Sequence, residues 1–582
     1  MFPRMRSDAF APPPSLPPLH ACLREIAPTW AYGCEEPRTQ AGFLRLFAHL
    51  AGSRPEFAPA RAVLAAWSWQ TRPVDPQFAP LFARALAEEA AQGASQRIIG
   101  KETADVAAAC ASLATAHLPE NVAAPLSALL AAPEPGLLVH LLLPLMPRPG
   151  VGAVALCRAW DTLVRMGVPE LAGELLAACA LPPEARGLRE RLRAELAFHF
   201  EPGPKALAAL AVLPEPWGGW AAQRRAELLA LAGEEDAARA VYAKLFAAMP
   251  WHANLALRLH ALSHPATPEP GLTGRIPAAV CLYSWNKREL LAATLDSLAA
   301  SDLGRARVAV LDNGSTDGTW EMLEAQRGRF GADGAGEDRL LTVRLPVNVG
   351  APAARNWLLS LPEVASAEWA VFLDDDVLLP PDWLAKLLCA GEAARAGGGR
   401  VGAVGCRITE PRPPYGLQSA DYHLFPPPPP DPDRPADEPR ERIGIFDNCA
   451  GQADNGLFTY ARPCCSVSGC CHAIHREALE AAGAFDVRFT PTQFDDLERD
   501  MRSTLKGFPS FYEGRLAVRH VQHSSLARAR TPAQIGHIAG NRVKLEGKYT
   551  DEEVARLAQA DLALAWDHFG RVLADLGQRE GA

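Results

Sequence analysis

The sequence contains no long apolar segment. Nowhere do about 18 apolar residues, the shortest stretch that crosses a bilayer as a helix, follow one another without a charged residue or a proline. The N-terminus, MFPRMRSDAFAPPPSLPP, has a short basic stretch but lacks the apolar region that completes a secretory signal peptide. We therefore expect a soluble protein that is not secreted and has no transmembrane segment.

Cysteine and positive charge are also sparse. Thirteen cysteines among 582 residues are an odd number at low density, which does not suit a disulfide-stapled scaffold and favours a reducing, cytoplasmic compartment. Lys and Arg total 58 against 67 Asp and Glu, which gives a net charge of −9. This balance argues against general binding to nucleic acid or to anionic membranes.

The composition is otherwise that of a folded, multidomain protein. Apolar residues make up 48% of the chain and charged residues 21%, unlike a disordered chain. At about 100 to 200 residues per domain, the length corresponds to roughly three to five units. Changes in composition predict an N-terminal extension that is partly disordered (1–37), an all-α domain (38–264), a linker (265–274), an α/β domain (275–548) and a helical C-terminal tail (549–582).

The all-α segment is rich in Ala and Leu, with apolar residues three and four apart and a break about every 12 to 20 residues. This pattern predicts short amphipathic helices packed as successive antiparallel pairs. One stretch resembles a tetratricopeptide unit in its order of small, turn, aromatic and closing residues, which are Ala226, Gly233, Ala238, Tyr242 and Pro250. Because the upstream copies fit more loosely, a degenerate solenoid-like array and an irregular helical domain remain equal alternatives.

The segment after the linker alternates strands with helices. Short apolar, β-branched runs are separated by helical segments, and they lie at Ala278–Tyr283, Val308–Leu311, Leu340–Leu345, Trp369–Leu373 and Val401–Cys406. This alternation predicts a Rossmann-like, mostly parallel sheet. Ligands bind beyond the carboxyl ends of the strands in such sheets, so we expect a functional site in the loops after each run.

Polar residues follow the first three runs. Tyr283 and Asn286 stand at the end of the first, Asp312 ends the second, and the third leads to Asn348 and Arg355. Arg355 falls in the first turns of a helix, whose N-terminus favours anions. The turn after Asp312 is rich in Ser, Thr and Asp, and it could equally do no more than cap the next helix.

Three consecutive carboxylates, Asp374, Asp375 and Asp376, follow the fourth run. Adjacent carboxylates after a buried strand repel each other and lose hydration, so they require a cation. One or two carboxylates, completed by phosphate oxygens and water, are the ligands typical of Mg²⁺ and Mn²⁺. The sequence therefore predicts a divalent-cation site at this strand end.

Taken in order, these strand-end motifs resemble the nucleotide-sugar glycosyltransferases of family 2, which have the α/β GT-A fold. The resemblance spans residues 275–525. It implies that Asp374 and Asp376 are the ends of a DXD motif, with Asp374 towards ribose and metal and Asp376 a metal ligand. It also implies that Asp312 binds the base or ribose and that Arg355 lies near the diphosphate. The implied donor-binding residues are Tyr283, Asn286, Asp312, Asn348, Arg355, Asp374 and Asp375.

Two motifs further along the chain match the same family. Residues 466–489 resemble its acceptor-side segment, which ends in Gly-x-Phe-Asp. In FDDLERDMRSTLKG, Asp496 aligns with the catalytic base of the family, whereas Asp495 stands in place of its usual Glu. His520 occupies the position of a metal-binding histidine in many relatives. His523 is a competing candidate that we rank second, because His520 follows the strand directly.

The resemblance implies a metal-dependent, inverting glycosyltransferase that moves a sugar from a nucleoside-diphosphate sugar to an acceptor hydroxyl of a protein or surface glycan. Its cofactor would be Mn²⁺ or Mg²⁺, and the helical domain would bind a protein partner, the acceptor or a second copy of the chain. A non-catalytic solenoid scaffold and a nucleotidyltransferase are the alternatives. A nucleotidyltransferase would carry a Gly-rich loop with Arg and Lys after the first strand, where this chain has YSWNKRE.

A group of cysteines and histidines lies between the two downstream motifs. Its members are Cys464, Cys465, Cys470, Cys471, His472 and His475. Because they lack the spacing of paired Cys-x-x-Cys zinc sites, we expect buried cysteines without bonds rather than a zinc site.

Three other features receive a structural interpretation. The stretch from Pro426 to Pro439, within a proline-rich insertion at about residues 411–442, is expected to be an exposed loop, with a lid or docking arm as the alternative. Tryptophans beside the motifs are expected in the core, namely Trp357, Trp369 and Trp383. The helical tail either packs back on the α/β domain or mediates dimerisation.

Overall fold

The computed structural model describes residues 17–51, 53–54, 57–91, 101–332, 336, 338–427, 441–521 and 531–580. The first sixteen residues of the N-terminal extension, residues 428–440 of the proline-rich insertion and His523 lie outside this described part. Within it, every helix is either too short or too polar to cross a membrane.

The N-terminal half of the described chain is helical. Its α-helices are α1 (Pro18–Ile26), α2 (Pro37–Leu50), α3 (Phe57–Thr71), α4 (Phe78–Ala91), α5 (Lys101–Thr115), α6 (Glu120–Ala131), α7 (Pro135–Leu142), α8 (Val151–Arg165), α9 (Pro169–Ala178), α10 (Arg186–Phe200), α11 (Gly203–Ala211), α12 (Gly218–Leu231), α13 (Glu235–Ala248) and α14 (Ala253–Ser263). Ala226 of α12 and Ala238 of α13 are fully buried where these two helices pack together. The all-α prediction is confirmed, and the tetratricopeptide interpretation stays a prediction.

Helical structure begins before residue 38, where composition placed its start. Helix α1 and a short 3₁₀ helix at Pro28–Tyr32 precede that position. Trp30 and Tyr32 are fully buried. Trp30 donates from Nε1 to the carbonyl of Trp251 at 2.6 Å, and the Tyr32 hydroxyl donates to the carbonyl of Leu424 at 3.0 Å. The Tyr32 contact joins the helical half to the α/β half, and the Trp30 contact fixes the N-terminal segment to the residues before α14.

The second half contains both element types. Its helices are α15 (Leu272–Arg275), α16 (Arg288–Ala299), α17 (Thr319–Ala325), α18 (Ala351–Ser360), α19 (Pro362–Ala365), α20 (Trp383–Arg395), α21 (Arg476–Ala482), α22 (Asp495–Leu505), α23 (Pro532–Lys548) and α24 (Asp551–Glu580). Its strands are β1 (Ala278–Ser284), β2 (Arg307–Asp312), β3 (Leu340–Arg344), β4 (Trp369–Leu373), β5 (Val377–Leu378), β6 (Ala403–Thr409), β7 (Leu417–Ser419), β8 (Tyr422–Phe425), β9 (Gly444–Asp447), β10 (Ala461–Cys464), β11 (Cys471–His475) and β12 (Ser510–His520).

The main sheet runs in the order β10-β12-β6-β11-β4-β1-β2-β3, with β5 on β12 and β7 on β6. Strands β3, β2, β1 and β4 are parallel neighbours, and β12 is parallel to β6. The five runs predicted as strands are β1 to β4 and β6. The sequence did not predict that β11 separates β4 from β6 and runs antiparallel to both. Strands β8 and β9 form a separate pair.

The strand register brings the predicted motifs to one edge of the sheet. Ser284 at the end of β1 lies opposite Asp312 at the end of β2, and Leu282 of β1 lies opposite Leu373 of β4. The aspartates that follow Leu373 therefore emerge beside Ser284. Apolar side chains of these strands are buried on both faces of the sheet, which is typical of parallel strands covered by helices.

A buried charged network fixes the N-terminal segment, the α/β half and the last helix to one another. His423 of β8 lies 3.0 Å from Asp421 through Nε2 and 3.0 Å from Asp561 of α24 through Nδ1. Arg462 of β10 pairs with Asp421 and donates to the carbonyl of Tyr32 at 2.6 Å. Burial opposes ionisation of Asp421, but Arg462 and His423 outweigh burial and lower the pKa of this carboxyl.

The C-terminal tail packs back on the same chain. Helix α24 contacts α14, β8 and β10, and Trp566 donates from Nε1 to the carbonyl of Pro28 at 2.6 Å. Trp566 and Phe569 belong to the apolar core that the helical half also forms. The tail therefore packs on the rest of the chain, which is the first of the two alternatives.

The three tryptophans beside the motifs lie in different environments. Trp369 and Trp383 are fully buried, as expected, but Trp357 is 50% exposed. Trp357 follows Arg355 by two residues, which turns it about 200° around α18 from that buried side chain and towards solvent. The expectation of a core position was wrong for Trp357.

Arg462→Ala tests the buried network. Removing this cation leaves the buried carboxylate of Asp421 without its strongest partner, so we expect a loss of about 3–5 kcal/mol in the free energy of unfolding. Urea denaturation followed by tryptophan fluorescence measures it. Arg45→Ala changes an exposed arginine of α2 and should shift the free energy of unfolding by less than about 0.5 kcal/mol. Equal stability of the two variants would contradict the structural role of the network.

Candidate active site

Asn286 holds the loop after β1 against the loop after β2. Its φ is +53°, a left-handed conformation that Asn adopts more readily than most residues. Its Oδ1 accepts the backbone N–H of Thr316 at 2.8 Å, and its own N–H donates to Ser315 Oγ at 2.9 Å. Asn286 therefore shapes the site edge, and its role towards a ligand stays a prediction.

Asp312 is fully buried at the end of β2. Its Oδ1 accepts the N–H of Ser315 at 2.9 Å and so holds the turn after β2, whereas α17 begins at Thr319 without a side-chain cap. Its Oδ2 lies 3.7 Å from Arg344 Nε and accepts no hydrogen bond from the described residues. Asn348 likewise holds a turn, because its Oδ1 accepts the N–H of Gly350 at 2.8 Å. One oxygen of Asp312 thus remains as an acceptor for a ligand.

Two of the three consecutive carboxylates pair with a cation of this chain. Lys287 Nζ lies 2.9 Å from Asp375 Oδ1 and 3.3 Å from Asp376 Oδ2. The Ser284 hydroxyl donates to Asp375 Oδ2 at 2.6 Å. Burial raises the pKa of Asp375 to about 6 although Lys287 opposes this shift. The side chain of Asp374 is the most open of the three, 26% exposed against 9% for Asp375 and 1% for Asp376.

His520 closes the site from the end of β12. This strand pairs with β5, which places His520 opposite Val377. The imidazole Nε2 lies 2.9 Å from Asp376 Oδ1 and 3.7 Å from Asp374 Oδ2, while Nδ1 lies 2.7 Å from Gln418 Oε1. An N–H donated from Nδ1 to Gln418 leaves Nε2 facing the carboxylates, which is how an outer partner orients a metal-binding histidine.

Arg355 is buried in α18 and pairs with Asp495. Its Nη1 donates to Asp495 Oδ2 at 2.7 Å, and its Cζ lies 5.5 Å from the centre of the Tyr283 ring and 5.0 Å from that of Phe485. Burial opposes the charge, but Tyr283 and the aspartates raise the pKa of Arg355. Burial also raises the pKa of Asp495 to about 6, although Arg355 opposes this shift. The departure from Glu at this position thus provides a short, buried partner for Arg355.

Asp496 is half-buried in the first turn of α22. Its Oδ2 accepts the N–H of Gly469 at 2.9 Å, and its Oδ1 accepts the N–H of Leu497 at 2.8 Å. A Cβ on residue 469 would lie 2.6 Å from Asp496 Oδ2 and 3.0 Å from Arg355 Nη2. A larger residue at 469 would therefore have to displace the carboxylate of Asp496.

Gly469 also connects Asp496 to the aspartate cluster. The next residue, Cys470, accepts the N–H of Asp374 through its carbonyl at 3.1 Å. Its Sγ lies 3.9 Å from His520 Nδ1. Asp496, Asp374 and His520 therefore lie around the Gly469–Cys470 segment at the carboxyl edge of the sheet, and we call this region, with the neighbouring Asp375 and Asp376, the cleft.

The cysteine and histidine group does not form one metal site. His472 lies 3.1 Å from Asp500 and His475 lies 3.3 Å from Glu368, in separate directions. The cysteines of the group carry no disulfide. As expected, three of them are buried, namely Cys464, Cys465 and Cys471, whereas Cys470 is half-buried at the cleft.

Two side-chain groups in the described residues have atoms close enough to bind one metal ion. Asp374, Cys470 and His520 each offer one atom within 4.8 Å of the others. A second group with the same spacing lies at the end of α14 and on α24, and it consists of His260, His264 and Asp575. The first group falls at the predicted cation site.

Sequence reasoning missed three side chains of the cleft. Lys287 carries a signal, because it stands just after the first strand in YSWNKRE, where a cation faces the other strand ends. For Gln418 and Cys470 we recognised no such signal in the sequence, because strand pairing brings His520 next to them.

The comparison with known families concerns the α/β half. Residues 279–481, roughly a third of the chain, match the model of Glycosyl transferase family 2. A curated relative is the succinoglycan biosynthesis protein ExoM of Rhizobium meliloti (strain 1021), which is 33% identical over 159 residues. The match covers 26% of this chain and 46% of ExoM, so the chain spans less than half the length of this relative.

Solved structures with similar elements include two transferases. The mannosyltransferase PcManGT from Pyrobaculum calidifontis, in complex with GDP-Man and Mn²⁺, is 19% identical with a TM-score of 0.31, over 61% of this chain and 92% of that one. GalNAc-T7 with UDP, GalNAc and Mn²⁺ is 14% identical with a TM-score of 0.35, over 48% of this chain and 49% of that one.

Gly469→Ala tests the close packing of the cleft. The added methyl group would overlap Asp496 Oδ2, so we expect a loss of about 1–3 kcal/mol in the free energy of unfolding, measured by urea denaturation. Gly173→Ala is the matched control, because residue 173 lies within α9 and no described atom comes within 4 Å of its added Cβ. That variant should be neutral or up to about 1 kcal/mol more stable. Two equally stable variants would show that Asp496 is not held against residue 469.

Proposed function

Residues 279–481 form a family 2 glycosyltransferase domain with the GT-A fold, and from this premise we propose that the chain transfers a sugar from a nucleoside-diphosphate sugar to an acceptor hydroxyl. The observation that supports this most is the single cleft that holds Asp374, Asp376, His520, Arg355 and Asp496. These residues provide carboxylates for a cation, a fixed positive charge and one further carboxylate.

We assign donor binding to the strand ends. Oδ2 of Asp312 is a buried acceptor for a base or ribose hydroxyl, because it accepts no hydrogen bond from the described residues. Arg355 is buried beside the half-buried Tyr283, and burial of the guanidinium limits how much water screens its charge. Asn286 and Asn348 keep the surrounding turns in place. The diphosphate would lie between Arg355 and the aspartate cluster.

The residues at the end of β4 fit a divalent cation. Oδ1 of Asp376 is buried and has no well-aligned hydrogen bond in the described part, and His520 presents Nε2 to the same point. The more open Asp374 completes the set. A divalent cation bound here would offset the negative charge that develops on the leaving diphosphate. An imidazole ligand favours Mn²⁺ over Mg²⁺.

Asp496 is our candidate for the catalytic base. Its partner Asp495 is buried against Arg355, whereas Asp496 is half-buried and lies in the same cleft. In the proposed step, the acceptor hydroxyl gives its proton to a carboxylate oxygen of Asp496 while its oxygen bonds to the anomeric carbon. The bond from that carbon to the diphosphate breaks on the opposite face. Such a single displacement inverts the anomeric configuration.

We extend the proposal to the helical half as the part that binds the acceptor or a partner. Successive packed helices present a long surface of the kind that binds extended chains. Helix α18 also exposes the indole of Trp357, and aromatic faces of this kind bind sugars and apolar groups. A protein or a surface glycan is therefore the acceptor class that we propose.

Asp496→Asn tests the enzymatic assignment. With a panel of nucleoside-diphosphate sugars and Mn²⁺, the wild-type chain should release a nucleoside diphosphate and pass the sugar to an acceptor, and chelation of the cation should abolish both. The variant should bind the donor with unchanged affinity in calorimetry but turn over about 10²–10⁴-fold more slowly, because the proton acceptor is lost.

A wild-type chain that binds no nucleotide sugar and gives no turnover would favour the scaffold alternative. Full turnover by the variant would remove Asp496 from the mechanism and leave the transferase assignment intact. Thermal stability of the variant near that of wild type serves as the folding control.

A further inference from the structure

Cys470 lies between the aspartate cluster and Gly469, in a backbone position that hydrogen bonds hold in place. Its carbonyl accepts the N–H of Asp374 at 3.1 Å, and the next residue, Cys471, pairs with Leu373 in the β4–β11 ladder. On its other side, Gly469 contacts the carboxylate of Asp496. The position of Cys470 is thus set by the same strand that delivers the aspartates.

The thiol of Cys470 lies beside the predicted cation site. Its Sγ lies 3.9 Å from His520 Nδ1, and the group formed by Asp374, Cys470 and His520 has one ligand atom from each residue within 4.8 Å of the others. Atoms bound to one cation at about 2.0–2.3 Å lie up to about 4.6 Å apart, so small side-chain rotations suffice to bring these three together.

The other two carboxylates are less suited to make the first contact with a cation. Asp375 is held by Lys287 and by Ser284, and Asp376 pairs with Lys287 through Oδ2 while its Oδ1 faces His520 Nε2. Asp374 is the most exposed of the three aspartates. A cation that approaches from the cleft therefore meets the carboxylate of Asp374 together with the sulfur of Cys470.

We propose that Cys470 Sγ is a direct ligand of the divalent cation, beside Asp374 and His520, so that the site is a mixed carboxylate, imidazole and thiolate site. On binding, the S–H bond breaks, a sulfur–metal bond forms and the proton leaves to solvent. This inference rests on the proposed function only in that it takes the same cation site. A sulfur ligand shifts the preference from Mg²⁺ towards softer cations such as Co²⁺ and Zn²⁺.

The distribution of cysteines makes this proposal easy to test. Of the thirteen cysteines, all of which lie in the described residues, eleven are buried and two are half-buried, Cys389 and Cys470. Cys389 belongs to α20, outside the cleft. The two cysteines that are partly exposed are therefore one proposed ligand and one internal control.

The first measurement is alkylation by iodoacetamide, followed by peptide mass spectrometry, on the full chain. At a Co²⁺ concentration 100 times the Kd, about 1% of sites are free, so alkylation of Cys470 should slow about 100-fold. Alkylation of Cys389 should not change, and Mg²⁺ should protect Cys470 less than Co²⁺ does. Equal alkylation of Cys470 with and without bound Co²⁺ would overturn the proposal.

The second measurement is the absorption spectrum of the Co²⁺-loaded chain. Wild type and Cys389→Ser should show the near-ultraviolet charge-transfer band of a thiolate bound to cobalt, and Cys470→Ser should lack it. A cobalt spectrum without this band in wild type, or a band retained in Cys470→Ser, would refute sulfur ligation and leave the transferase proposal standing. A band that depends on Cys470 in a chain without transfer activity would refute the transferase proposal alone.

Discussion

The cleft depends on the neutralisation of three consecutive carboxylates at the end of β4. Asp374, Asp375 and Asp376 follow a buried strand, where repulsion between like charges is weakly screened. Lys287, from the loop after β1, offsets part of this repulsion by pairing with Asp375 and Asp376, and the imidazole of His520, from the end of β12, contacts Asp376. The three strands that build the cleft are therefore tied together at their carboxyl ends by charge as well as by backbone hydrogen bonds.

The two aspartates of α22 have different partners. Asp495 forms an ion pair with Arg355, and that pair lies among the rings of Tyr283 and Phe485. Asp496 is half-buried and accepts hydrogen bonds from two backbone N–H groups.

The helical half is fixed to the α/β half by buried charged side chains. It is therefore part of one folded unit and not a separately tethered domain.

The sequence predicted the elements whose signal is local. Apolar runs between helical segments gave β1 to β4 and β6, and the residues that follow them gave the carboxylates and Arg355 of the cleft. Features that depend on pairing between distant segments could not be predicted from the sequence. These are the insertion of β11 between β4 and β6, the contacts of His520 with Gln418 and Cys470, and the burial of Trp30 against α14. Lys287 is different, because its position after β1 was a readable signal.

An anomalous difference map at the manganese absorption edge, from crystals of the full chain with Mn²⁺ and a nucleoside diphosphate, tests the central claim most directly. The claim predicts the strongest peak within bonding distance of Asp374 and His520, with diphosphate density beside it. A map with no peak at this position, or with its strongest peak at His260, His264 and Asp575, would contradict the assignment of the cleft.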